Sequence, residues 1–154
     1  MKFRVPFIIF FISITAACIH KQTGSISPWE RVNVNMAALA QINNDVAKGI
    51  IAIQQAGVIT VGQASPILDY QETVARDHAA IENIFSAGSA QADSRSAEIR
   101  ALLEEIKNQG TTLIQSGGLG VKNPKSQRSF TQDLQAIVNL TEIILANYQQ
   151  TKAD

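Results

Sequence analysis

The sequence predicts an all-α domain over residues 28–150, an antiparallel four-helix bundle. Three observations lead there. Pro28, Pro66 and Pro124 each follow a good helix-capping residue, Ser27, Ser65 and Asn123. That pair marks a helix start, because proline has no N–H to leave unpaired at the first helical position and its φ is already helical. Glycines stand where helices stop, at Gly57, Gly88 and Gly117-Gly118, as helix C-termini prefer. Between these marks apolar residues recur at three- and four-residue spacing, the repeat that lays one face of a helix on a core. Ala, Gln, Ile, Leu and Glu dominate the same stretches, which favours helix over strand.

The first helix is predicted over about 28–56. Ser27-Pro28-Trp29-Glu30 is a capping box, with Glu30 placed to reach back to the Ser27 N–H. Its stripe is Val32, Met36, Leu39, Val46, Ile50 and Ile53, with Asn43 in the remaining slot. A polar residue on such a seam fixes register at some cost in stability, or else sits at the seam edge. The second helix, about 66–86, carries Ile67, Tyr70, Val74, His78, Ile81 and Phe85. The third, about 94–116, opens at Asp93-Ser94 without a proline and carries Ile99, Leu102, Ile106, Leu113 and Ile114. It is interrupted by Gln109-Gly110 and the neighbouring Thr111-Thr112. The fourth, about 124–150, carries Phe130, Leu134, Ile137, Thr141, Ile144 and Tyr148. Ile42, Ile51, Leu103, Val138 and Leu145 widen the stripes, as burial in a bundle requires. Gly49 and Gly110 inside helices each cost about 1 kcal/mol relative to Ala, and close helix approach is the expected gain.

AKGIIAIQQAG (47–57) and NQGTTLIQSGG (108–118) share Gly, Ile-Gln and the final Gly in register. Tyr70, Val74 and Ile84 fall 60 residues before Phe130, Leu134 and Ile144. Two related helical hairpins explain this; so do two unrelated amphipathic hairpins with similar needs.

Residues 1–17 stand apart. Lys2 and Arg4 precede an apolar run from Val5 to Ala17 that closes on small residues, the order of an export signal. Thirteen residues reach roughly 20 Å, short of the roughly 30 Å hydrocarbon core, so a permanent membrane span is disfavoured. Thr15-Ala16-Ala17-Cys18 resembles the lipobox of bacterial lipoproteins, departing from it in Thr15, where Leu is usual. The resemblance covers residues 1–18 alone. It implies cleavage before Cys18, lipid on its sulfur and an acylated new amino terminus. The alternatives are plain secretion with Cys18 free and an uncleaved anchor. Cys18 is the one cysteine of the chain, so no intrachain disulfide forms and the fold holds by packing. In a two-membrane cell, Ile19 after the lipidated cysteine resembles lipoproteins sent to the outer membrane.

The expected organisation is therefore a cleaved signal (1–17), a lipidated cysteine and short tether (18–27), and the bundle (28–150). Cleavage leaves 137 of 154 residues and removes Lys2 and Arg4, giving 11 basic against 13 acidic residues, net −2. Without a basic face, nucleic acid is not an expected partner. The expected partners are the membrane, through lipid on Cys18, and an envelope protein.

Candidate chemistry is sparse. His78 lies on the second stripe with Asp77 beside it, Glu82 one turn on and Glu72 nearby, a weak candidate for metal. Di-iron bundles use Glu-x-x-His pairs, absent here. The other histidine, His20, adjoins the anchor, and the bland reading of His78 is a boundary side chain. Gly117-Gly118-Leu119-Gly120-Val121-Lys122 lacks the ending of a phosphate loop and reads as a turn. Asn139-Leu140-Thr141 is a glycosylation sequon in mid-helix. Trp29 either staples the helix start or touches the membrane interface. No catalytic motif, metal site or cofactor is expected. The function implied is a non-catalytic binding or scaffolding module; the alternative is a small-ligand or metal-binding sensor bundle. A buried polar pocket would favour a ligand, whereas a solid apolar core with one exposed apolar stripe would favour a protein partner.

Overall fold

The structure, a computed structural model, describes residues 26–116 and 124–152. The signal segment, Cys18, His20, the Gly117-Gly118 stop and the Asn123 cap lie outside these residues. The described chain forms five helices and no strand: α1 (Pro28–Gln55), α2 (Val61–Ser86), α3 (Ser89–Ser94), α4 (Ser96–Gln115) and α5 (Pro124–Gln150). The four long ones make the bundle. α1 packs on α2 and α5, and α4 packs on α2 and α5, while the two diagonal pairs do not approach closely. Arg31 at the start of α1 donates to Gln150 at the end of α5, so these two neighbours run antiparallel. Contacts of Asn43 with Gln71 and of His78 with Met36 set the same sense for α1 and α2. Among the described residues no helix is long and apolar enough to cross a membrane.

The ends of α1 form as their residues dictate. Ser27 and Glu30 make both bonds of the capping box, 3.2 Å and 2.8 Å. At the other end Val58 N–H bonds the Ile53 carbonyl and Gly57 N–H that of Gln54. This is the paired closure that needs a left-handed residue, and Gly57 supplies it with φ +69°. Gly88, φ +99°, likewise follows α2.

Two expected starts are corrected. α2 begins five residues before Pro66. Thr60 and Gln63 form a second capping box, 3.3 Å and 2.8 Å, and Pro66 sits inside the helix. Pro66 cannot donate to the carbonyl one turn back, that of Gly62. Both residues are exposed, so that carbonyl is not left open in the core, while the early start buries Ile59 and Ala64 around the cap. Asp93-Ser94 opens nothing: Ser94 donates back to the Gln91 carbonyl and Asp93 pairs with Lys152. These residues end the short α3, and α4 restarts at Arg95 without a side-chain cap. α3 earns its place through Ala92, which is fully buried and whose carbonyl accepts from the Tyr148 hydroxyl at 3.0 Å.

The core follows the predicted stripes of α1 and α5 residue for residue, from Val32 to Ile50 and from Phe130 to Tyr148. In α4 it does not. Leu103, not Leu102, is fully buried, on a face completed by Ile99, Ile106 and Gly110. Ile51, expected to widen the stripe of α1, is 42% exposed. Trp29 staples the bundle end, edge-on to Phe85 at 5.4 Å and to Tyr148 at 5.9 Å between ring centres. Thr111 and Thr112 donate to the carbonyls four residues back, and α4 runs on past the break in its apolar stripe, as expected.

The two helical glycines differ. A Cβ on Gly110 would lie 2.5 Å from the Tyr70 hydroxyl and 2.7 Å from a Val138 methyl, whereas one on Gly49 meets nothing within 4 Å. Close approach therefore explains Gly110 and not Gly49. Gly49→Ala is expected to stabilise by about 0.5–1 kcal/mol. Gly110→Ala is expected to destabilise by about 1–3 kcal/mol, less its helix-propensity gain. Urea melts of the two variants check this, and equal stabilisation would refute the tight α2–α4–α5 contact.

Candidate functional site

One cleft of about 410 Å³ lies between α1 and α2. α1 contributes Ala40, Asn43, Asn44 and Ala47; α2 contributes Leu68, Gln71, Glu72, Val74, Ala75 and His78. The alanines keep the wall low where the helices face each other. A smaller hollow of about 170 Å³ adjoins Trp29, Phe85 and Gly88.

Asn43 takes the seam position and not its edge. It is 7% exposed, and its Nδ2 donates to the main-chain carbonyl of Gln71 at 3.0 Å. That bond bridges α1 and α2 and fixes the amide, while Asn43 Oδ1 has no hydrogen-bond partner. Gln71 is 3% exposed, and both its Oε1 and Nε2 are buried without a partner. An unpaired buried polar group costs about 1–3 kcal/mol, so two acceptors and one donor left open at the α1–α2 seam, with Asp77 Oδ2 also open elsewhere on α2, are a substantial cost for a small domain. Packing alone does not require them.

His78, on the same face, is half-buried, and its Nε2 lies 2.9 Å from the Met36 carbonyl. A carbonyl only accepts, so the ring proton sits on Nε2 and the histidine is a second bridge from α2 to α1. Glu82, its expected partner, is 3.9 Å from the same nitrogen. Asp77 faces elsewhere. It is buried beside Arg76, whose Nε lies 2.9 Å away, and Arg76 continues to Glu105 on α4. Burial pushes the Asp77 carboxyl above its usual range against the pull of Arg76, with Glu105 adding to the rise. Asp77 and His78 thus serve different helix contacts, and Glu72 stands at the exposed rim. Among the described residues no three His, Cys, Asp or Glu side chains converge as a metal site. Buried Tyr70 donates to the Ile106 carbonyl at 3.1 Å, and burial raises its hydroxyl pKa.

Gln71 is the residue that sequence reasoning passed over. The spacing 67-71-74-78-81-85 would have found it, as the face of α2 turned to α1, beside the spacing through Tyr70 that was read.

The cleft thus joins one fixed amide, that of Asn43, and one unpaired amide, that of Gln71, with small side chains and a rim carboxylate. That set can hold and orient a molecule. Comparison with known protein families, with curated proteins and with solved structures gives no match.

Proposed function

We propose that this chain is a membrane-tethered cell-envelope lipoprotein whose bundle is a non-catalytic binding module, with a small ligand held in the α1–α2 cleft. The observation that carries the binding is Gln71, an almost fully buried amide with neither atom paired, lining a cleft. The two buried amides bind through hydrogen bonds and take no part in proton transfer or nucleophilic attack, and His78, which also lines the cleft, is tied to the Met36 carbonyl; both support a role without chemistry. The lipobox-like residues 15–18 support the anchor. The nine residues from Ile19 to Ser27 span at most about 30 Å. The end of the bundle that holds Trp29 and Tyr148 therefore rides close to its membrane, the outer one in a two-membrane cell. Asn43 lies 15 residues along α1 from Pro28, roughly 20 Å further out, where a cleft stays accessible. A second reading, scaffolding of an envelope protein, rests on the exposed apolar side chains Val34, Val58, Val61 and Ile143.

A photoreactive benzophenone side chain placed at Asn44, on the rim, tests the module in intact cells, with the same group at Gln135 on the outer face of α5 as control. Irradiation is expected to yield an adduct of small-molecule mass at Asn44 and none at Gln135. A protein-sized adduct at Asn44 would replace the ligand by a docked protein. Matching patterns at both positions, or no adduct, would remove the cleft as a binding site.

A further inference from the structure

The cleft also restricts the class of its ligand, an inference that rests on the cleft being the binding site proposed above. The geometry points to an uncharged molecule with an amide edge, one N–H donor beside one carbonyl acceptor, as in a lactam, an imide or a primary carboxamide. The Gln71 carboxamide carries this, with Asn43 Oδ1 beside it as a second acceptor. Gln71 Nε2 is an open donor, and Gln71 Oε1 and Asn43 Oδ1 are open acceptors, all buried. Asn43 Nδ2 is already committed to the Gln71 carbonyl, so the amide of Asn43 presents its oxygen as a fixed acceptor. A carboxamide is complementary to another amide edge: its N–H meets the ligand carbonyl and its oxygen meets the ligand N–H. A molecule with carbonyls alone would leave both acceptors open.

Charge is unwelcome in the same place. No lysine or arginine lines the cleft, the Nε2–H of its one histidine, His78, is committed to the Met36 carbonyl, and Glu72 stands at its rim, so an anion finds no fixed counter-charge and meets repulsion. A cation would lose its hydration beside two neutral amides with an exposed carboxylate as its nearest counter-ion, and burial penalises a charge so poorly paired. The amide atoms of Gln71 are sealed from solvent while the residue lines the cleft. Binding therefore requires the Gln71 side chain to swing outward through its χ1 and χ2 rotamers, after which the broad terminal torsion sets the amide edge against the ligand. Pairing of atoms that are unpaired in the free protein supplies the drive.

The test uses the full lipidated chain in detergent micelles, ¹⁵N-labelled, with the side-chain amide signals of Asn43 and Gln71 followed by NMR. The probes are 2-pyrrolidinone and succinimide, against acetate and methylammonium at equal concentration. The lactam and the imide are expected to shift both signals saturably and the ions to leave them in place. Gln71→Leu is expected to weaken pyrrolidinone binding about tenfold or more, the loss of one or two hydrogen bonds. It should also raise the melting temperature of the free protein, since an apolar side chain replaces an unpaired amide. Equal shifts from the ions, unmoved signals with every probe, or full binding by Gln71→Leu would each overturn the amide-edge class. A lower melting temperature in Gln71→Leu would make the amide a packing element and overturn it too. A small adduct at Asn44 in cells together with unmoved amide signals would keep the cleft as a binding site and discard this ligand class alone.

Discussion

Ile137→Ala is expected to lower the melting temperature of the bundle by roughly 10 °C or more, bringing it close to unfolding. Ile137 is fully buried in the middle of α5, the helix that packs on both α1 and α4. Truncation removes apolar contact and leaves a cavity, together costing about 2–5 kcal/mol from a domain total of about 5–15 kcal/mol. Nothing else compensates, because a chain with one cysteine has no disulfide to hold its helices. Gln135→Ala, two residues away, is expected to change little. Gln135 is exposed and its contact is a side-chain bond to Asn139 one turn on, a surface pair worth a few tenths of a kcal/mol. Circular dichroism melts of residues 28–150, freed of signal and lipid, with each substitution and with a chelator, check both. Equal melting of the two variants would mean the face of α5 is wrongly assigned. A fall in melting on adding chelator would restore His78 and Glu82 as metal ligands.

How much of this was legible in the sequence depended on whether one helix or two decided the outcome. The closures of α1 were legible because capping is local: Ser27 and Glu30 at one end and Gly57 at the other act within a single turn. The start of α2 misled because Ser65-Pro66 and Thr60-Gln63 are both acceptable signals. Burial of Ile59 and Ala64, a property of the assembled core, selects the earlier one. Leu102 and Leu103 are adjacent, and the repeat alone accepts either. The phase of α4 is decided by Gly110, which lacks a side chain and so reads as neither core nor surface until Tyr70 is laid over it. The seam residues of α2 show the same limit. That helix buries two adjoining faces, one through Tyr70 and Asp77 toward α4 and one through Gln71 and His78 toward α1. A single stripe through Tyr70, Val74 and His78 crosses from one to the other and misses Gln71 and Asp77.

The candidate site was legible in one half. Asn43 announces itself as a polar residue in a regular apolar series, and its seam position follows from the spacing. Gln71 does not announce itself, because it sits between Tyr70 and Glu72 in a stretch where polar residues are expected. Only the antiparallel pairing of α1 with α2 sets its main-chain carbonyl against Asn43 Nδ2. The cleft needs the alanines of both helices at the same height, a coincidence of register that neither helix encodes alone.

Cys18→Ser is expected to abolish incorporation of labelled palmitate and to release the protein from the membrane fraction. The motive is the order of residues 1–18: two cations, a short apolar run, then Thr15-Ala16-Ala17-Cys18. Among the described residues no helix is long and apolar enough to cross a membrane, and the net charge of −2 that cleavage before Cys18 would leave gives little attraction to anionic headgroups. Under the proposed lipidation, attachment would rest on acyl chains, each buried CH₂ worth about 0.8 kcal/mol, with two chains enough for firm binding. Their loss should move the protein from almost wholly sedimenting to almost wholly soluble. Three measurements read the outcome together: palmitate label, mass of the amino-terminal fragment and distribution after membrane flotation. Label that persists in Cys18→Ser, or never appears in the wild type, would refute lipidation at this residue. A wild type that is unlabelled, soluble and begins at Cys18 would make the chain a plainly secreted protein. One that keeps residues 1–17 and stays bound without label would make the apolar run an uncleaved anchor. In a cell with two membranes, labelled wild type is expected at outer-membrane density, because Ile19 after the cysteine resembles lipoproteins sent there. A clean inner-membrane band would withdraw that placement and leave the anchor itself intact.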